Sequence, residues 1–314
     1  MKYSGIGGQA VMEGVMMKNK DQYAVAVRKP DHDIIVEVKN YTGIIKNEKL
    51  KNAPIIRGVL AFIESMVLGI STLTFSASFF EEEETQKSKQ LDEAAKKKKE
   101  KTEMGLTVGV SFILAIAIFM ILPYYLSLVF QHHIASPTIL ALIEGLIRLV
   151  IFILYILAIS KMEDIQRVFM YHGAEHKCIN CIEHGLELNV ENVRKSSRQH
   201  KRCGTSFLLF VLVFSIIFFA FIRVDSQILR LVLRVLLIPV IAGVSYEFIR
   251  LAGRSDNKLV NFLSQPGLWL QNLTTKEPDD SMIEVGIASV EAVFDWKSYL
   301  MENDFRTYEE ESRK

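Results

Sequence analysis

Residues 105–130 read GLTVGVSFILAIAIFMILPYYLSLVF, an unbroken run without a charged side chain. About 20 mostly apolar residues in a helix cross the hydrocarbon of a bilayer. Only helices and closed barrels satisfy their backbone in lipid, and a run this long without period-2 alternation is a helix. Three further runs follow. Residues 138–160 carry only Glu144 and Arg148, and 205–222 carry no charge. Residues 228–249 are apolar apart from Arg230, Arg234 and Glu247, all nearer the ends than the centre. The expected fold class is therefore mainly α: a polytopic membrane protein with four transmembrane helices.

Working outward, the 314 residues are 50% hydrophobic and 23% charged, and the charge is sorted by region. The net charge of +1 gives no footing for a nucleic-acid partner. Lys96, Lys97, Lys98, Lys99 and Lys101 precede the first run, and residues 161–204 hold Lys161, Arg167, Lys177, Arg194, Lys195, Arg198, Lys201 and Arg202. Residues 131–137 have no Lys or Arg, and the turn at Asp225 has only Arg223 close by. Lys and Arg near span ends mark the cytosolic side. Three cytosolic parts are expected, 1–104, 161–204 and 251–314, separated by transmembrane hairpins at 105–160 and 205–250. The location implied is the plasma membrane, multi-pass, with both termini cytosolic. No secretory leader pattern opens the chain, so internal spans are expected to direct insertion.

Within the N-terminal region, 23–28 and 33–38 alternate like strands, with Pro30-Asp31-His32-Asp33 between them as a hairpin signal. Residues 54–80 read as a mostly apolar helix interrupted by Arg57 and Glu64. An amphipathic helix lying on the membrane or the bundle is expected there, a fifth span or re-entrant piece being the alternative. Gly5-Ile6-Gly7-Gly8 lacks the ending of a phosphate loop and reads as a turn or a close backbone approach. Glu81–Glu84 and Lys96–Lys99 read as a charged linker or solvated helix.

Glu144 and Arg148 are four apart and share a helix face. Ionisable groups at membrane depth point inward and pair. A structural ion pair is expected, against the alternative of a polar path or a substrate contact. Arg230 and Arg234 are expected to snorkel to the outer surface.

The chemistry concentrates in 161–204. Tyr171-His172-Gly173-Ala174-Glu175-His176-Lys177 contains His-x-x-Glu-His. On a helix, His172 and His176 face one ion, with Glu175 beside them as a general base, the inverse of the His-Glu-x-x-His zinc motif. His200 and Cys203 lie later in the same loop, and Glu247 lies near the inner end of the last span. Glu247 is the first choice for a third ligand and His200 the second. A closed structural zinc site, Cys178-x-x-Cys181 with His200-x-x-Cys203, competes with this reading, as does an ordinary polar helix end. The cysteines are expected to be reduced.

The stretches GGQAVMEGVMM (7–17), PIIRG (54–58), EGLIR (144–148), YHGAEHK (171–177), RCGTSF (202–207), SYE (245–247), PGLWLQ (266–271) and EPDD (277–280) run over nearly the whole chain. In these the chain resembles the YqhQ-type family of bacterial membrane proteins, a group of unknown function sometimes labelled metal-dependent enzymes. By position, the resemblance implies a site containing His172, Glu175, His176, His200, Arg202, Cys203 and Glu247. Glu13 and Arg57 belong to its N-terminal motifs and are placed at the same cavity. Lys201 stands where Pro is expected, and the family pattern does not require Cys at 178 or 181.

The function expected is a membrane-embedded metal-dependent hydrolase, with zinc as the divalent metal and its site at the cytosolic face. Glu175 is the base, and Arg202 or Arg57 would hold an anionic group of a lipid, lipid-linked or peptide substrate. The alternative class is a channel, transporter or assembly factor with a regulatory or structural metal. The bilayer is the one partner the sequence specifies. A homo-oligomer is compatible with it.

Overall fold

A computed structural model of the chain describes residues 2–43, 53–80, 93–134, 136–222, 224, 226–255 and 257–303. Residues 81–92 of the expected charged linker lie outside these, as do the side chains of Lys96–Lys99 and both Arg223 and Asp225.

The chain opens with four strands: β1 (Gly7–Val11), β2 (Gly14–Asn19), β3 (Gln22–Arg28) and β4 (Ile34–Asn40). They form an antiparallel meander in chain order. The expected hairpin is its second half, closed by Lys29 N–H donating to the Asp33 carbonyl at 2.9 Å.

Helices make up most of the remaining described residues. They are α1 (Ile56–Ala77), α2 (Glu93–Ile116), α3 (Leu122–Leu128), α4 (Pro137–Ile159), α5 (Glu163–Glu183) and α6 (Val190–Lys195). Then follow α7 (Gly204–Ala220), α8 (Gln227–Ala252), α9 (Lys258–Thr274), α10 (Asp280–Glu291) and α11 (Trp296–Glu302). A π-helical turn, Ala117–Ile121, joins α2 to α3 just ahead of Pro123. Proline cannot donate to the ladder and its ring crowds the carbonyl four residues back, so a widened turn there lets the helix continue.

Among the described residues, four helices are long and apolar enough to cross a membrane: Ile56–Ala77, Gly105–Leu128, Pro137–Ile159 and Ile228–Ala252. The apolar α7 has 17 residues, the short end of the spanning range. By length, then, α1 qualifies and α7 is marginal. Packing separates them differently. Along α1, Leu68, Thr72 and Ser76 form a buried stripe at i, i+4, i+8. Gln9 Nε2 of β1 donates to the Ser65 carbonyl at 3.1 Å, and Met12 N–H to Ser76 Oγ at 3.1 Å. The opposite side exposes Ile63, Met66, Val67 and Leu73. Helix α1 thus has the sheet along part of its length and an apolar outer face, and by length and composition it stands among the four spanning candidates in place of the expected α7.

The chain divides into two compact units. The first comprises Met1–Phe80, Ala158–Phe210 and Ala242–Lys314. Here the sheet is covered on both faces. Val15, Met17, Ala24 and Ala26 pack with Tyr171, Ala174, Cys178 and Ile182 of α5 and Met282, Ile283 and Val285 of α10. The alternate residues Met16, Tyr23, Val25 and Val27 pack with Val11 and with Leu68 of α1. The two-residue period of a strand sends successive side chains to opposite layers.

The second unit comprises Glu81–Leu157 and Val211–Ile241. Glu144 accepts from Arg148 Nη2 at 2.7 Å, so the expected pair is present, with both residues buried. The same carboxylate takes Arg234, whose Nη1 and Nη2 each lie 2.7 Å from one of its oxygens. Arg234 therefore does not snorkel. It is 4% exposed, because a carboxylate inside the apolar helices offers it more than the surface does. Arg148 Nη1 also donates to Ser215 Oγ at 2.8 Å. Arg230 reaches the Val224 carbonyl at 2.6 Å.

Candidate metal centre

Helix α5 carries His172, Glu175 and His176 at i, i+3 and i+4, which places them on one face. The helix is held there by close approaches that glycines permit. A Cβ on Gly173 would lie 2.1 Å from the Lys276 carbonyl oxygen, so the 274–278 segment rests directly on the helix. A Cβ on Gly8 would lie 2.8 Å from Glu175 Cγ, so β1 abuts the carboxylate. The close approach read from the opening glycines is real.

Both imidazoles are oriented through their Nδ1 atoms. His172 Nδ1 lies 2.9 Å from the Thr274 carbonyl oxygen, and His176 Nδ1 2.6 Å from that of Arg198. A carbonyl oxygen only accepts, so each Nδ1 carries the hydrogen and each Nε2 is left to act as ligand or base. Both histidines neighbour Cys203, just ahead of α7. His172 Nε2 lies 3.3 Å from its Sγ. One ligand atom from each of His172, His176 and Cys203 lies within 4.8 Å of the others. Nitrogen and thiolate sulfur donors suit zinc, whose ligand bonds run about 2.0–2.3 Å, and three protein ligands leave an open position.

Glu175 is buried beside this group, its Oε2 3.4 Å from His176 Nε2. Glu247 sits apart from it, its Oε1 accepting from Arg57 Nε at 2.5 Å in a two-pronged ion pair. His200 packs against His176 with ring centroids 5.6 Å apart, and its Nε2 faces Glu183 Oε2 at 3.6 Å. Among the described residues, the third member offered to an ion is thus Cys203 rather than Glu247 or His200. Cys178 and Cys181 belong to the hydrophobic core under the sheet. Burial raises the Cys178 thiol well above its ordinary range and Cys181 to about 11, which suits inert side chains.

The electrostatics of the group are mutual. Burial opposes a thiolate at Cys203, yet the two adjacent imidazoles outweigh it and hold the thiol well below its ordinary value. Burial likewise opposes an imidazolium at His172, but Cys203 and Glu175 bring it up to about 9. His176 rises for the same reasons, against the same desolvation.

Glu183 was not singled out from sequence. It lies on the same α5 face, seven residues past His176, and is fully buried. It accepts from Arg202 Nη2 at 2.6 Å and from Ser4 Oγ at 2.7 Å. Burial raises its pKa, but His200 and Arg202 together lower it to about 2. Arg202 Nη1 is buried without a hydrogen-bond partner among the described residues. Gln271 clamps His200, its Oε1 accepting from the backbone N–H and its Nε2 donating to the carbonyl, each at 2.8 Å. His172, Glu175, His176, His200, Arg202 and Cys203 all line one cavity of about 440 Å³. Glu13 does not line it. With φ +49° in the β1–β2 turn, it binds Arg167 in two prongs and Tyr171 Oη at 3.2 Å, tying the turn to α5.

The chain matches the family model described as "Protein of unknown function (DUF1385)" over residues 53–296. It is 38% identical over 292 residues, 90% of each chain, to the "Uncharacterized protein YqhQ" of Bacillus subtilis (strain 168). No solved structure gives a significant match. Matched over most of its length, this chain belongs to the DUF1385 family, with YqhQ among its relatives.

Proposed function

We propose that this protein is a metal-dependent hydrolase of the membrane, with its centre at the cytosolic face. His172, His176 and Cys203 hold the ion and Glu175 is the general base. One observation carries the reading: both Nδ1 atoms are committed to backbone carbonyls, His172 Nε2 lies 3.3 Å from the Cys203 sulfur, and one ligand atom each of His172, His176 and Cys203 lies within 4.8 Å of the others. A divalent ion such as zinc, when bound, supplies Lewis acidity and brings water into its nucleophilic range near neutral pH. Glu175 is placed to take a proton, its carboxylate facing the cavity within 3.4 Å of a ligand imidazole. Arg202, steadied through one nitrogen by Glu183, keeps a second nitrogen for an anionic substrate group. The Lys and Arg distribution supports the cytosolic placement.

Elemental analysis of full-length protein, purified without chelator and supplied with zinc, tests the centre. Zinc is expected in both wild type and Glu175→Gln; zinc-free wild type overturns the proposal. Mass spectrometry of lipid and peptide extracts from cells making either form tests the hydrolase. A substrate should accumulate with Glu175→Gln, and identical profiles would remove the enzymatic reading.

The depressed Cys203 thiol favours a second reading, a cysteine nucleophile served by His172 without metal. It requires zinc-free wild type whose Cys203 reacts rapidly with iodoacetamide at neutral pH.

A further inference from the structure

Beside the metal cavity lies a second one of about 380 Å³, also within the first unit. Five cationic side chains line it: Lys18, Lys20, Arg57, Arg250 and Arg254. Only Asp21 and Glu64 oppose them in the lining. Arg57 is paired with Glu247, whose carboxylate Arg250 also attracts, and Arg254 lies over the Tyr3 ring. Tyr3, Lys18, Lys20, Ala61 and Glu64 line both cavities, so the two adjoin. Arg254 stands 5.3 Å from the Tyr3 ring centroid, and Arg202 of the metal cavity 4.3 Å from it.

The groove is built where two membrane-length helices end. Arg57, Leu60 and Ala61 come from the first turns of α1, Tyr246 and Arg250 from the last turns of α8. Gly58 lets the helices touch there, since a Cβ on it would lie 2.7 Å from Tyr246 Cβ. Near these cations on the same helices, Ile63, Val67 and Leu251 are exposed. A basic recess lined also by Leu60 and Ala61, on helices that expose apolar side chains, matches a molecule with an anionic head and a hydrocarbon tail. Guanidinium forks pair with phosphate oxygens through two parallel hydrogen bonds, and ammonium groups add charge without demanding a direction.

We infer that this groove binds the phosphate headgroup of an amphiphile and presents it to the adjoining metal cavity. The assignment of that amphiphile as substrate rests on the hydrolase reading; its binding does not.

Isothermal titration of full-length protein in detergent tests the inference, with dioctanoyl phosphatidic acid, dioctanoylglycerol and inorganic phosphate as probes. Saturable binding of the phosphatidic acid is expected, weakened about tenfold or more by Arg250→Gln with Arg254→Gln, the scale of one lost charge-assisted hydrogen bond. Dioctanoylglycerol should not bind, and inorganic phosphate should bind more weakly than the lipid. Unchanged affinity in the double variant, or equal binding of the neutral lipid, overturns the groove. Inorganic phosphate binding as tightly as the lipid overturns the amphiphile. Lys20→Gln, at an exposed turn, is the companion variant should the double change fail to fold, and it too should weaken the lipid. Zinc content measured on the same samples separates the two proposals. Zinc-free protein that binds the phosphatidic acid loses only the hydrolase reading, and zinc-loaded protein that ignores it loses only the groove.

Discussion

Cys203 Sγ and His172 Nε2 lie 3.3 Å apart, although 31 residues separate them in the chain. In the metal-free protein the pair shares a proton in favour of the imidazole, which holds it up to about 9 against the desolvation that works the other way. A metal ion requires the unprotonated Nε2, so binding expels that proton. Below the imidazole's pKa the proton competes with metal; above it the competition ends. Zinc affinity, measured against a competing chelator, should therefore tighten by at least about tenfold per pH unit as pH rises toward 9, more steeply where His176 is protonated too, and level off above it. A flat profile over that window would disprove the proton–metal competition.

The ligand set makes distinct predictions for each side chain. His172→Ala, His176→Ala and Cys203→Ser should lose zinc. Glu247→Gln should retain it, because that carboxylate is engaged with Arg57. Cys178→Ser should retain it as well, since this thiol packs in the core. Retention by Cys203→Ser together with loss by Glu247→Gln would transfer the third position to Glu247.

Gly173 permits the Thr274 carbonyl to orient His172. In Gly173→Ala the new methyl must displace the 274–278 segment, an overpacking cost of about 1–3 kcal/mol. Zinc affinity should fall about 10–100-fold, as it does when a ligand's outer hydrogen bond is lost. Gly7→Ala is the control, as nothing lies within 4 Å of the position its Cβ would take. Equal behaviour of the two variants in melting and zinc titration would show that the close approach does not matter.

In the second unit one carboxylate serves two guanidinium groups. Glu144→Gln strands both cations and should be the most damaging single change, by about 3–5 kcal/mol for an uncompensated buried charge. Arg234→Met leaves a one-to-one pair and should cost less. Thermal unfolding in detergent ranks the variants; the reverse order would mean that Glu144 does not organise the cluster.

A cysteine introduced at Asn189 should resist a membrane-impermeant thiol reagent added to intact cells, whereas one at Ser136 should react. Strong labelling at Asn189 with none at Ser136 would invert the orientation read from Lys and Arg.

The apolar spans were legible because lipid imposes length and apolarity directly on sequence. The β3–β4 hairpin was legible because Tyr23, Val25 and Val27 alternate in size with Ala24 and Ala26. Strands β1 and β2 were not. Val15, Met16 and Met17 are all buried, on two faces, so the run lacks a polar partner in its period. Their turn is made by Met12-Glu13, with Glu13 at positive φ, rather than by Asn-Gly or Gly.

The helical spacing of His172 and His176 revealed their common face, but nothing local joins Cys203 to them. That meeting depends on Gln271 of α9 clamping His200 ahead of α7. Glu247 and Arg57 each belong to motifs visible in the sequence. Their mutual ion pair is a tertiary fact, formed between helix ends 190 residues apart.

The sheet pairs only consecutive strands, so its backbone bonding is complete once Asn40 has been synthesised. Its second covering layer is not. That layer is α5 with α10, and α10 begins only at Asp280. Ser289 Oγ then donates to the Ala24 carbonyl at 3.3 Å, and Asn19 Nδ2 to that of Val293 at 2.8 Å. The nascent meander must therefore wait, half covered, while the intervening apolar helices are made and inserted. The Thr274 carbonyl that turns His172 closes α9, just ahead of α10. The second cover of the sheet is thus tied to segments made long after the meander, and a chain that lacks α10 leaves that face of the sheet only partly covered.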